Sequence, residues 1–321
     1  MTRTLKGAIA LLALCAAAPA IAADYPELRS AYPNDWASEE GSLRFETGLR
    51  YWYSIGSQEA GFGPTTLSVN DRSHILEVHG KIDDLYTQSY VKANAGLSVS
   101  TSGDFTLSPG NSTAIGQSSR IGYVGADFGW LPFGNATEGV AVGGLVGYQY
   151  WNDSPDIGRG NFITGAPGAP TTGVDSSPDN LDIHALRIGV RGTAEINDMF
   201  DVQAEVAGIP YAHVTGVLGP HELNGVPLGG GNTLYKASQT NLSGTGYGAM
   251  GELMVGFHPT ENLTLRVGGR AWYVEGALDA KFDGYTVDGA GNVSGKQGFI
   301  MASDYARIFR YGAMFELTGR F

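Results

Sequence analysis

Apolar and polar positions alternate along most of this chain, from Ser42 to Phe321. A period of two marks β-strands, because successive side chains of a strand point to opposite faces. "SLRFETGLRYWYS" sets Leu43, Phe45, Leu49, Tyr51 and Tyr53 against Arg44, Glu46, Arg50 and Trp52. "HILEVHGKI" sets Leu76, Val78 and Ile82 against Glu77, His79 and Lys81. "YVKANAGLSVS", "IGYVGADFGW" and "GVAVGGLVGYQYW" follow, with Tyr123 and Asp127 on the inner face of the second of these. In the second half, "HALRIGVRGTAE" opposes Leu186, Ile188 and Val190 to Arg187, Arg191 and Glu195. "FDVQAEVAG" opposes Phe200, Val202 and Val206 to Asp201 and Glu205. "GYGAMGELMVGF" places Glu252 between Met250 and Met254, and "LTLRVGGRAWYVE" places Arg266, Arg270 and Trp272 on one face. The last segment, "YARIFRYGAMFELTGRF", carries Arg310, Glu316 and Arg320 on its even face and an aromatic, apolar odd face. Ten strands are predicted.

Their connections alternate in length. Long ones cover about 55–73, 101–118, 152–180, 211–245 and 276–303; short ones lie near 83–88, 132–138, 196–199 and 258–262. Transmembrane barrels have this asymmetry, with short periplasmic turns and long extracellular loops, and an even strand count. A soluble sandwich offers no reason for loops to grow at one end only. The predicted fold is therefore all-β: a closed antiparallel transmembrane β-barrel of about ten strands over 42–321, with eight or twelve as alternatives. Closure is required, since lipid cannot satisfy the backbone groups of an open sheet edge. A further hairpin inside 211–245, pairing "HVTGVL" with "NTLYKAS", is also left open.

The N-terminus agrees with export. Arg3 and Lys6 precede an apolar stretch and the small residues Ala20 and Ala22, the layout of a cleaved signal peptide over 1–22. Cys15 raises a lipoprotein alternative, but Leu14 is bulky for the position before an acylated cysteine. Residues 23–41 are expected to form a periplasmic segment. Without the signal the chain holds no cysteine and carries 18 basic against 32 acidic residues. So acidic a chain is a poor partner for nucleic acid. After the signal no apolar run is long enough for a membrane helix.

The signal, the leader "AADYPELRSAYPNDW", the alternating strands and the terminal Phe resemble the small surface-antigen and porin-like barrels of Gram-negative bacteria. Many members of that group have eight strands rather than ten. The resemblance implies insertion into the bacterial outer membrane, with lipid and lipopolysaccharide around the barrel. The final strand, at Tyr311, Ala313, Phe315, Leu317, Gly319 and Phe321, resembles the signal read by the barrel-assembly machinery. The same rings also suit an aromatic interfacial girdle.

Alternation sends Arg44, Glu46, Arg50, Glu77, Lys81, Arg187, Arg191, Glu195, Glu252, Arg266, Arg270, Arg310 and Glu316 to the lumen, together with Lys92, Asp127, Asp201, Glu205 and Arg320. Ten bases against eight acids predict an ion-paired plug, since an unpaired buried charge is costly and ten strands lie near the size at which side chains fill a barrel. The alternative is a narrow pore whose arginines favour small anions. The acidic excess is expected in the long connections, at Asp153, Asp156, Asp175, Asp179, Glu222, Asp279, Asp283 and Asp288, where solubility explains it or where an adhesin would meet its partner. No metal site, cofactor or enzymatic activity is expected. The pair Asp83–Asp84 falls in a predicted periplasmic turn, and His213 and His221 lack catalytic spacing. Oligomeric state is open.

Overall fold

The computed structural model describes residues 43–321 apart from 109, 111, 135–138, 160, 163–173, 220–223 and 261. The signal peptide, the 23–41 segment, His221 and Glu222 lie outside the described residues. Ten long strands form the barrel: β1 (Leu43–Phe62), β2 (Thr65–Asp84), β3 (Ser89–Ser108), β4 (Arg120–Gly134) and β5 (Val140–Ser154). They continue as β6 (Asn180–Asn197), β7 (Phe200–Leu218), β8 (Thr240–Thr260), β9 (Leu263–Val287) and β10 (Tyr305–Arg320). Each pairs antiparallel with its sequence neighbours. The ring closes because β10 pairs with both β1, at Leu49↔Leu317, and β9, at Leu265↔Leu317.

The outer face carries an apolar belt. On β1 it runs from Phe45 to Tyr53, and on β2 from Ile82 to His74. Nine residues per strand match the nine to eleven that a tilted transmembrane strand needs. Aromatic side chains mark both edges, Tyr51, Tyr148, Tyr211 and Tyr311 at one and Phe45, Trp130, Phe200 and Phe321 at the other. All eight are at least 41% exposed except half-buried Tyr51, as lipid-facing groups must be.

The strands do not stop at the belt. They run 15–25 residues, so at the long-connection end the ladder continues well past the aromatic edge. The first expected long connection, 55–73, is not a loop. β1 and β2 stay paired from Leu43↔Asp84 to Phe62↔Thr65, joined only by Gly63-Pro64. Gly63 has φ +58°, which a glycine adopts without steric cost. The hairpin inside 211–245 exists with a different partner. Asn224–Gly229 pairs with Asn232–Lys236, while His213–Leu218 stays in β7. Lys236 then joins β9 at Gly284, and Gln297–Ala302 lines the other edge of the β9 extension.

Two β-bulges sit level with the upper aromatic edge. One lies opposite His74/Ile75, in β3 at Val99, and one in β7 at Pro210–Tyr211. Below the first, the apolar odd residues Val91 and Leu97 face outward; above it, the odd residues Phe105 and Leu107 face inward. The extra residue exchanges the faces of the strand, as bulges do.

Candidate functional site

The lumen of the membrane-spanning section is a network of ion pairs. Glu316 is its centre: Arg50 donates to Oε2 from Nε at 2.8 Å and also from Nη2, and Arg266 donates to Oε1 at 2.8 Å. Thr318 adds its hydroxyl at 2.8 Å. Glu77 receives Arg50 at 2.6 Å, Arg270 at 2.9 Å and the Tyr123 hydroxyl at 2.5 Å. Arg270 also donates to Glu252 at 2.7–2.9 Å. Across the lumen, Glu205 meets Lys92 (2.8 Å), Arg187 (2.5 Å) and Arg191 (3.3 Å), and Asp127 meets Lys92 and Arg187 at 3.3 and 3.4 Å. Nearer the short turns, Asp201 pairs with Arg266 and His258, Glu46 with Arg320, and Asp83 with Lys81 and Arg44.

Each lumen residue expected from alternation thus lies on the inner face. Most are buried; Arg44, Glu195 and Arg320 are half-buried near the short-turn rim, and Lys92 and Glu252 are half-buried within the network. The outward residues Tyr311, Phe315, Leu317 and Phe321 are exposed, and the Phe321 backbone exchanges hydrogen bonds with Phe45 at 2.9 and 3.1 Å. Three further acids join the lumen. Asp71 and Asp153 both pair with fully buried Arg310, at 2.6 and 3.2 Å, and Asp83 makes the pairs given above. Among the described residues ten bases therefore meet eleven acids. Asp153 belongs to this interior rather than to a solvated loop, where the sequence pattern placed it. The Asp83–Asp84 pair is split: Asp83 turns inward to Lys81, and Asp84 accepts hydrogen bonds from the Tyr86 and Thr87 amides of the short turn.

Above this network lies a layer that alternation did not reveal. Trp151 stacks on Tyr123 (4.9 Å between ring centres) and on Trp272 (5.1 Å), while Trp52 meets Tyr123 and Trp151 edge-on at 6.2 Å. The three indoles are at most 1% exposed. Arg270 lies over Trp52 from below at 5.2 Å, and Arg310 over Trp151 at 5.6 Å. Such contacts join charge to ring without leaving the cation in a purely apolar site. Gly56 makes room: a Cβ there would come within 2.4–2.5 Å of the Arg310 guanidinium and the Asp71 carboxylate. The signal for this layer was present in Trp52, Trp151 and Trp272, but only strand register sets them at one height.

Beyond the tryptophans and the Arg310–Asp71–Asp153 pairs the inner face is mostly aliphatic. Leu67, Ile183, Val214, Leu242, Val274 and Ile308 line a partly open cavity of about 90 Å³. The small inward residues Ala60, Gly246, Gly276 and Ala306 form one side of it. Asp179, just before β6, also lines the void and accepts a hydrogen bond from the Gly219 amide at 3.4 Å. It stays partly accessible because it faces the void. Burial pushes its carboxyl up to about 7, and the Asp153 charge adds to the shift. The outer face of this section is polar, with Glu59, Asn70, Arg72, Asp104, Asp182, Glu275 and Arg307. Arg307 pairs with Glu59 at 2.6 Å. Among the described residues no three His, Cys, Asp or Glu side chains are grouped to hold a metal ion.

No protein-family model matches this chain, and no curated protein matches it. Among solved structures it is similar to the translocator domain of the autotransporter NalP from Neisseria meningitidis, at 10% identity and a TM-score of 0.36 over 95% of this chain and 98% of that one. It is also similar to the Ralstonia pickettii toluene transporter TbuX (10%, 0.32, covering 88% and 90%) and to a major outer membrane protein of Thermus thermophilus (10%, 0.28, covering 87% and 99%). Scores this low carry no argument about function, and the fold assignment rests on the closed ring of strands and its apolar belt.

Proposed function

We propose that this is an integral barrel of the bacterial outer membrane, exported by a cleaved signal peptide, with a closed lumen and an envelope-structural or surface-exposed role. One observation carries this reading: the stacked Trp52–Tyr123–Trp151–Trp272 layer lies directly on the Glu77–Arg270 ion pairs, so two different fillings block the same lumen. A narrow anion pore would need arginines that face an open path. Arg50, Arg266, Arg270 and Arg310 each bind carboxylates instead. At most limited passive permeation follows. The extended hairpins above the belt support surface exposure, and an adhesive role through them is the second reading. The exposed Tyr311, Phe315, Leu317 and Phe321 suit both the girdle and recognition by the assembly machinery.

Conductance of the refolded chain in a planar bilayer tests this. Folded protein that passes no steady current is the expected outcome. Steady current with anion preference would replace the closed barrel by the arginine-lined pore.

A further inference from the structure

The void above the tryptophan layer has the construction of a binding site. Barrels of about eight strands are wide enough to hold one small ligand when their interior is not filled. Here the filling ends with Trp52, Trp151 and Trp272 and the Arg310–Asp71–Asp153 ion pairs that lie over them, and small residues take its place on one wall: Ala60, Gly246, Gly276 and Ala306. The remaining wall is mostly apolar, with Phe62 and Phe105 beside the aliphatic residues and Gln58 as a polar exception. A water needs about 10–15 Å³ on the same measure, so the open 90 Å³ corresponds to a molecule of roughly six to nine heavy atoms. Water filling such a space would find few hydrogen-bond partners, which favours an apolar occupant. Asp179 stands at the wall; Glu59, Glu275 and Arg307 also border it but turn their side chains to the outer face.

The geometry points to a binding site, in the extracellular section of the barrel, for a small lipophilic molecule with a single hydrogen-bonding head, of the size and polarity of a medium-chain alcohol. Its tail lies among Leu67, Val214, Leu242, Val274 and Ile308, and its head meets the Asp179 carboxyl. Near neutral pH that carboxyl is shared between protonated and ionised forms, so it can donate to or accept from a hydroxyl. The site lies above the plug and needs no passage through the lumen. It is therefore independent of whether the barrel conducts.

Photolabelling of the full chain in lipid nanodiscs with a diazirine-bearing octanol tests the inference. Mass spectrometry separates labels on the inward Leu242, Val274 and Ile308 from labels on the lipid-facing Leu265 and Val267. Saturable labelling of the inward set, competed by 1-octanol, is expected. Val274→Phe, which fills the void, should abolish it, and Leu242→Phe provides the same test should the first variant not fold. Asp179→Leu should weaken labelling by the alcohol about five- to tenfold, the value of a lost hydrogen bond, while an alkyl diazirine without the hydroxyl is unaffected. Labels confined to lipid-facing positions, or inward labelling that does not saturate, would overturn the site. Unchanged alcohol labelling in Asp179→Leu would overturn the role of the head.

Discussion

The same ten strands build two barrels of opposite polarity. Up to the aromatic edge the interior is charged and the exterior apolar: Leu49, Val78, Leu265 and Leu317 face outward at one height while Arg50, Glu77, Arg266 and Glu316 face inward. Above the edge the relation is reversed. Val69, Val214, Val274 and Ile308 are buried inside, and Asn70, Glu275 and Arg307 face out. The tryptophan layer is the boundary. The difference follows from the solvent outside, because lipid accepts no charge whereas water rewards it.

Two mechanisms achieve the reversal. β3 and β7 keep one apolar alternation in sequence and exchange faces with a bulge. The neighbouring β2 keeps its faces and exchanges residue types: its outward positions run Ile82, Val78 and Leu76, then His74, Arg72 and Asn70.

The largest way to break the contrast is to strand a charge in the membrane section. Glu77→Ala takes one carboxylate from Arg50 and from Arg270, which keep only Glu316 and Glu252, and leaves the Tyr123 hydroxyl without its acceptor. A loss of about 3–5 kcal/mol is expected, the cost of a broken buried pair, read from urea unfolding followed by gel mobility. Removing the boundary is comparable. Trp151→Ala should cost about 3–5 kcal/mol through the cavity it leaves, and should raise the frequency of brief openings in a planar bilayer. Trp151→Phe, which keeps the stack, should not raise it.

Next come outward charges. Leu265→Arg near the mid-belt is expected to cost about 2–4 kcal/mol. Asn70→Arg, outward in the upper section, should stay within about 0.5 kcal/mol. Equal costs in the same unfolding assay would show that lipid does not surround the lower belt alone.

A smaller effect than the outward charge in the belt concerns pH. Asp179 in the fold holds its proton up to about 7, against an ordinary value of 3.8. Between about pH 4 and 7 the folded state binds a proton that the unfolded state has released, so stability falls as pH rises through this window. Because the carboxyl is partly accessible, the contribution is discounted to about 1–2 kcal/mol. Asp179→Asn should flatten the difference between unfolding midpoints at pH 5 and pH 8.

Much of the membrane section was legible from alternation, because one face of every strand met lipid and had to be uniformly apolar. Arg50, Glu77, Arg266 and Glu316 could be sent to the lumen one strand at a time. The upper section was read as loops for the same reason: once Arg72 and Asn70 replace Leu76 and Val78 on the outer face, the lipid signature ends although the hydrogen-bond ladder does not. Asp71 and Asp153 were lost in this way, and with them the partners of Arg310.

The sequence by itself determined a closed barrel of about ten strands and the inner face of each lower strand, since these depend only on a local period of two and on lipid outside; pairing fixed the count at ten. The tertiary structure decided which residues share a height. Register alone stacks Trp52, Trp151 and Trp272, from strands 99 and 121 residues apart in order, and alone leaves a space above them beside Gly246, Gly276 and Ala306. Period places a side chain on a face; only pairing across strands places it next to another.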